Sequence, residues 1–336
     1  MGTTVDKLNH LINTKEGIRQ EINRAYNTEE ISTSDTFNSY IQKLEEHPFY
    51  IMRYIERSIE SIKLSNVTSI GEYAFYECRN LTSVSFPNVT RISSDAFRFC
   101  SSLTSVSFPN ATRIGNWTFQ NCSKLTSVSF PKVTSIDTSV FYSCSSLTSV
   151  SFPNATRIGY SAFNDCSSLT SVSIPNATSI SDYSFYECSS LTSVSFPKVK
   201  SIGRNAFYSC SKLTEASFPN ATSIGEYAFS SCSGLTSVSL PNVTSIDDSA
   251  FYKCSSLTSA SFPNATSIGM NAFYGCRGLT TIYVGTNTST VCTLSHTNAL
   301  SDCTNLTNIY VPASLVNSYK SATNWSKYAS KIKATP

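Results

Sequence analysis

From Ile59 to Val311 the apolar positions recur, with a fixed period of 22 residues as far as Val284. Leucine stands at Leu81, Leu103 and every twenty-second residue to Leu279, and the same spacing carries Ile70 to Ile268, Phe75 to Phe273 and Cys78 to Cys276. The consensus reads C-S-S-L-T-S-V-S-F-P-N-A-T-S-I-G-x-x-A-F-Y-x. A strict repeat of about 20–50 residues marks a solenoid or a propeller. Twenty-two residues are too few for a four-stranded blade and suit a single solenoid coil.

Within one coil, Leu81, Val84 and Phe86 end in strand alternation, which turns Ser83 and Ser85 outward. Pro87 has no N–H to give a ladder and ends that strand. A second extended piece, such as Val89 to Ile92, turns its isoleucine inward, and a Gly, Ser or Asp follows at a turn. Ala96, Phe97 and Cys100 have the spacing of one helical or 3₁₀ turn packed back on the core. Each large buried side chain contributes roughly 1.5–3 kcal/mol. Ordering the backbone of a whole coil costs more than about 20 kcal/mol. A lone coil therefore cannot fold, and stacking on neighbours is what stabilises it.

Ile59, Ile62 and Leu64 begin the first coil, and Leu306, Ile309 and Val311 repeat the strand for the last time. The interval from Cys276 to Cys303 is 27 residues, so the last coil carries five extra residues within 285–298. Twelve strands at roughly 4.8 Å per rung predict a stack on the order of 55 Å long. The expected architecture is an α+β solenoid of about twelve coils over residues 59–312. A small helical module and cap (1–58) precede it, and a helical cap (313–336) follows. Residues 1–63 hold 18 of the 47 charged residues. Val5, Leu8, Leu11 and Ile12, then Phe37, Tyr40, Ile41 and Leu44 after Ser34, have helical spacing. Phe49, Ile51, Met52, Tyr54 and Ile55 would cover the first rung. Pro312 suits the start of a helix, whose Leu315, Val316, Tyr319, Ala322 and Trp325 would cover the last.

The repeat C-x-x-L-x-x-V-x-F-P-x-x-x-x-I-x-x-x-A-F resembles the BspA-like bacterial leucine-rich repeats, over about residues 59–312. The copies are one residue shorter than that family's commonest form. The resemblance implies a cell-surface or secreted binding protein with no catalytic residues. Leu11 to Leu44 resembles short N-terminal modules of phage and prophage tail proteins from gut bacteria. That resemblance implies attachment to tail or baseplate components through residues 1–58.

Composition narrows the chemistry. The chain is 14% charged with a net charge of +3, too weak an imbalance for a nucleic-acid or polybasic membrane footprint. Its three histidines, His10, His47 and His296, lie far apart, and no G-x-S-x-G, P-loop or G-x-G-x-x-G occurs. Serine abounds without a histidine to activate it. No enzyme, cofactor or metal is expected, and without C-x-x-C pairs the cysteines do not suggest zinc. The first fifteen residues lack the pattern of a secretory signal, and no apolar run is long enough to span a membrane.

Five patterns remain as candidates, each with a plainer reading. The cysteine ladder could form disulfides between rungs, or hold buried thiols acting as small hydrophobes. Asn-x-Thr, recurring from Asn66 to Asn264, reads as a turn in which Asn bonds local backbone, with Lys132 and Lys198 replacing it in two coils. The paired serines from Ser83/Ser85 to Ser259/Ser261 form a hydroxyl strip, broken by Glu215, Tyr283 and Tyr310, that could meet a glycan or ice or simply be a solvated strand face. The residue after the repeated Phe is Tyr76, Tyr142, Tyr186, Tyr208, Tyr252 or Tyr274 in six coils. This stripe is either a contact surface or a stacking ladder over the turns. Arg91, Arg113 and Arg157 form a short basic patch or a solvated face. The expected function is non-enzymatic recognition of a host or bacterial surface protein or glycan, at a cell surface or on a virion. An exported adhesin or a structural spacer are the alternatives.

Overall fold

The computed structural model describes residues 60–63 and 67–336. The helical module and cap expected over 1–58, and their attachment to tail components, lie outside the described residues.

Each coil contributes two short strands. The first, with Val, Ala or Ile turned inward, runs from Ser61–Lys63 through Ser83–Ser85 and its repeats to Asn308–Val311. These strands pair in parallel and in register with neighbouring coils, as in Ser61↔Ser83, Ile62↔Val84 and Lys63↔Ser85, within three sheets that break between Ser105–Ser107 and Ser127–Ser129 and between Ser171–Ser173 and Ser193–Ser195. The second strand has two residues, from Ser69–Ile70 to Thr293–Leu294, and also pairs in parallel with its equivalent one coil away. In both, the apolar residue points inward and its polar neighbours are half-buried or exposed.

The third side of the coil departs from expectation. From Ala74 to Cys276 the repeated segment forms no helical or 3₁₀ turn but a run of tight turns with two left-handed residues, such as Asp95 (φ 57°) and Phe99 (φ 63°), whereas in the last coil the equivalent Thr297–Leu300 is the expected 3₁₀ turn, capped by His296. The N–H groups of the repeated segment alternate in direction. Arg98 and Cys100 donate to Asp95 and Phe97 in their own coil, whereas Asp95, Phe97 and Phe99 donate to Asn116, Thr118 and Gln120 in the next. A helical turn would spend every N–H inside the coil. The left-handed residues aim alternate N–H groups outward, so the turn side is stitched to its neighbour as the two sheets are. The α+β expectation is therefore corrected: this is a β-solenoid, and its only α-helix among the described residues is Val316–Ser321.

The interior is built from identical side chains lying on one another. Phe75, Phe97 and their equivalents to Phe273 form an unbroken stack, with ring centroids 5.0–5.5 Å apart and planes within 9° of parallel. A second stack, starting Phe86, Phe108, Phe130, Phe152, is interrupted by Ile174 and Leu240. Each such aromatic pair adds about 0.5–1.5 kcal/mol beyond its area burial. Polar side chains are shared between coils in the same way. Thr104 sends both its N–H (2.8 Å) and its hydroxyl (2.9 Å) to the Thr82 carbonyl. The repeated Asn does not bond its own turn as expected. Asn110, Asn154, Asn176, Asn220, Asn242 and Asn264 each donate to the proline carbonyl of the preceding coil. The in-register stack brings that carbonyl closer than the local backbone.

Close stacking also dictates a glycine. A Cβ on Gly203 would sit 2.6 Å from the backbone of Ser181 and Asp182 in the coil before. The same slot reads Gly71, Ser93, Gly115, Asp137, Gly159, Ser181, Gly203, Gly225, Asp247, Gly269 and Ser295, so no two adjacent coils both carry a side chain there.

The C-terminal segment is helical in part. Ala313–Leu315 is 3₁₀, Val316–Ser321 is α-helix and Ser326–Lys331 is 3₁₀ again. Tyr319 and Trp325 are fully buried, with Leu315, Val316 and Ala322 packed beside them. The Tyr319 hydroxyl accepts from the Cys292 N–H, and Trp325 Nε1 donates to the Cys292 carbonyl. The chain then returns as a strand, Ile332–Ala334, pairing Ile309↔Ile332 as one more rung.

Left-handed backbone costs an ordinary residue about 1–2 kcal/mol. Ser231 (φ 60°) has its N–H held by Tyr252 of the next coil. Ser231→Gly should leave the denaturant midpoint unchanged or raised. Ser231→Val should lower stability by about 1–2 kcal/mol or more. Equal midpoints for the two variants would contradict the account of the turn side.

Candidate functional site

The structure places the tyrosines and arginines singled out above on different sides of the coil. Arg91, Arg113 and Arg157 open strands of the second sheet, and all three are exposed. Arg91 lies beside Arg113 in register, whereas Arg157 lies beside Ser135, so one serine rung separates the third arginine from the other two. None of the three makes an ion pair among the described residues.

The six tyrosines lie half-buried on the turn side. They do not form one continuous ladder. Tyr186 and Tyr208 stack at 4.8 Å and 6°, and Tyr252 and Tyr274 at 5.3 Å and 12°. Tyr76 meets Phe99 edge-on, while Tyr142 has no aromatic partner among the described residues. Lys253 lies over the Tyr252 ring at 5.1 Å. Partial burial, with Glu187 beside it, raises the Tyr186 hydroxyl above its ordinary pKa and keeps it a donor.

Sequence reasoning missed the aromatics two and three residues before the repeated Phe. Tyr160 meets Tyr183 at 5.5 Å, and Tyr183 meets Tyr186 at 5.7 Å. Tyr160, Tyr183, Tyr186 and Tyr208 thus make one contiguous aromatic surface across three coils. Tyr160 is 48% exposed. The signal was available, since Tyr160 and Tyr183 occupy slots that other coils fill with Thr138 and Ser161. Only the stacking of neighbouring coils shows that slots of different number touch.

On the strand side, the paired serines form the expected outward strip, which ends in Tyr283 stacked on Tyr310 at 4.9 Å. The strip is open, and Glu215 is the one carboxylate among its outward positions from Ser83 to Ser261. Glu226, Asp247 and Asp248 line a shallow cleft with Ser245, Ser267, Gly269 and Ser295. Each carboxylate is engaged: Glu226 with Arg204, Asp247 with the Ser245 hydroxyl, and Asp248 with the Met270 N–H. His296 accepts from the Asn298 N–H and serves as a cap. Among the described residues no three His, Cys, Asp or Glu side chains gather as metal ligands.

All twelve cysteines are buried free thiols. From Cys100 to Cys276, and again at Cys303, each Sγ donates to the phenylalanine carbonyl of the coil before it, at 2.9–3.2 Å. That carbonyl also takes the N–H of its own coil's cysteine, as Phe97 does from Cys100. A thiol fits this slot because it is small, apolar and still a weak donor. Burial pushes the thiols of Cys100, Cys122, Cys144, Cys166, Cys188, Cys210 and Cys254 well up, and those of Cys292 and Cys303 up to about 12.

The model of a family described as BspA type leucine-rich repeat region, of six copies, matches residues 49–170, 156–280 and 222–333. The chain belongs to the BspA-type leucine-rich repeat family. Among solved structures it is similar to a leucine-rich cell surface protein of Faecalibacterium prausnitzii, at 25% identity and a TM-score of 0.39, over 81% of this chain and 91% of that one. It is similar also to a leucine-rich repeat protein of Bacteroides ovatus, at 23% identity and a TM-score of 0.40, over 82% and 92% of the two chains. No curated protein sequence matches it. Membership of the BspA-type family supports a non-enzymatic binding or adhesion role. No helix among the described residues is long and apolar enough to cross a membrane.

The thiols set a pH limit. A raised folded-state pKa means that folding favours the protonated thiol, so the stability is complete below the unfolded pKa of about 8.5 and is lost as pH rises above it. Each of the nine thiols named above contributes about 1.4 kcal/mol of loss per pH unit there. Thermal melts should therefore fall steeply above roughly pH 9. A cysteine reagent added at pH 8 should react only after denaturation. Rapid labelling of the native protein, or a flat melting temperature to pH 10.5, would contradict this picture.

Proposed function

We propose that this BspA-type chain is a recognition rod whose turn side contacts a partner on a cell surface. The observation that carries the reading is the contiguous surface of Tyr160, Tyr183, Tyr186 and Tyr208. Tyrosine supplies large contact area at low conformational cost, with a hydroxyl for partner groups. The same slots hold Thr138, Ser161, Asn164 and Ser230 in other coils, so folding does not demand aromatics there. A spacer would gain nothing from exposing four rings together. The extracellular face of a cell or a virion is the setting that suits such a rod. The remaining tyrosines, Tyr76, Tyr142, Tyr252 and Tyr274, would extend the contact along the stack.

The test replaces the four tyrosines by residues that other coils carry there. The Tyr160→Thr, Tyr183→Ser, Tyr186→Asn and Tyr208→Ser protein should keep its melting profile. Fluorescently labelled protein is applied to panels of bacterial and epithelial cells and read by flow cytometry. Truncating a central aromatic contact costs on the order of 1–2 kcal/mol, so the combined variant should bind at least about tenfold more weakly. Labelling equal to that of the unmodified chain would overturn the reading.

A further inference from the structure

The cations of the coils are not scattered evenly. In the nine coils from Pro87 to Ile268, the six residues from the corner proline to the second-sheet isoleucine contain no acidic and no aromatic residue. They contain six cations: Arg91, Arg113, Lys132, Arg157, Lys198 and Lys200. All six are exposed, and they fall within six successive coils. Lys132 and Lys198 stand in the asparagine slot, and each Nζ donates to the amide oxygen of the preceding coil's asparagine, Asn110 or Asn176, at 2.7 Å. These bonds hold the ammonium groups along the corner beside the arginine row. Asp137 and Asp247, which follow the strip in two of these coils, take the Ser135 and Ser245 hydroxyls. The carboxylates of the turn side, such as Asp95 and Glu187, lie later in each coil. A chain with a net charge of only +3 thus carries a cation-only track on one side.

We infer that this track binds a linear acidic glycan laid along the stack. The inference rests on reading the molecule as a recognition rod and names a ligand class for a second face of it. Neighbouring rungs are roughly 4.8 Å apart, and the repeat of an extended pyranose chain is of that order. One anionic group per sugar or per second sugar then meets cations spaced at one or two rungs, as from Arg91 to Arg113 and from Arg113 to Arg157. Arginine forks match carboxylate and sulfate oxygens. The threonine and serine hydroxyls of the strip are available to sugar hydroxyls. A nucleic acid fits less well. Single strands need aromatic platforms for their bases, and this track has none.

The full chain is titrated at low salt with oligogalacturonate and with a heparin fragment, each long enough to span the five rung intervals from Arg91 to Lys200. A cello-oligosaccharide serves as the neutral probe and oligothymidylate as the nucleic-acid probe. One or both acidic glycans should bind and the neutral one should not. The two acidic arms distinguish carboxylate from sulfate recognition. Raising the salt should weaken binding by roughly tenfold or more, because exposed charges are screened. Arg91→Ser, Arg113→Ser and Arg157→Ser together should weaken binding at least about tenfold. Adding Lys132→Asn, Lys198→Asn and Lys200→Thr should abolish it, and Lys124→Ser with Lys212→Ser should leave it unchanged. Every replacement is a residue that other coils carry in the same slot, so loss of fold is checked directly by the melting profile. Failure of both acidic glycans to bind, preference for oligothymidylate, or full binding by the six-site variant would overturn the inference. Cell labelling that survives the six replacements would overturn it as a cell-recognition track while leaving the tyrosine reading intact.

Discussion

Everything in this molecule depends on backbone hydrogen bonds made sideways, from each coil to the next at a constant offset. Strand pairs such as Val84↔Val106 and Ile92↔Ile114 meet this demand on two sides of the coil. On the third side, left-handed residues such as Asp95 and Phe99 meet it by turning alternate N–H groups toward the neighbour. Buried backbone polar groups must find partners. A coil of this size has too little regular structure of its own to supply them, so stability is a property of adjacent pairs.

Once the backbones are in register, the side chains follow. Identical residues lie above one another, which favours types that tolerate self-stacking. Phenylalanine does so through near-parallel rings, threonine through a hydroxyl that reaches the same carbonyl as its N–H, and cysteine through a thiol aimed at the previous coil. The glycine slot shows the opposite case. There the backbones approach so closely that side chains occur only in non-adjacent coils. The repeat is therefore kept strict inside by packing, and variation is confined to outward slots, where tyrosines and cations can be added without disturbing the stack.

The proposed recognition surfaces use that freedom. The turn side carries an uneven distribution of aromatics, dense at Tyr160 to Tyr208, and the second sheet carries an uneven distribution of cations, dense from Arg91 to Lys200. Neither is required by the core, since serine, threonine and asparagine occupy the same slots elsewhere. A BspA-type scaffold thus separates what holds it together from what it displays, and the two faces proposed for recognition differ in chemistry.

The period, the inward Leu, Val, Phe and Ile, the outward serines and the site of the extra residues before Cys303 were all legible in the chain, because burial imposes a spacing that residue types record. Three features were not. The Ala-Phe-Cys segment has helical spacing, yet its conformation is decided by N–H groups bonded 21 residues ahead, as Phe97 is to Thr118, and local spacing does not register them. The asparagine amide looks like a turn former, but the nearest free carbonyl belongs to the coil before it. The contiguity of Tyr160, Tyr183 and Tyr186 arises across coils, where the left-handed Tyr183 lies beside a ring one slot away in the preceding coil. Sequence alone determined which residues are inside and how often they return. Only the stacked structure decided which outer residues touch, because those contacts are made between coils rather than along one.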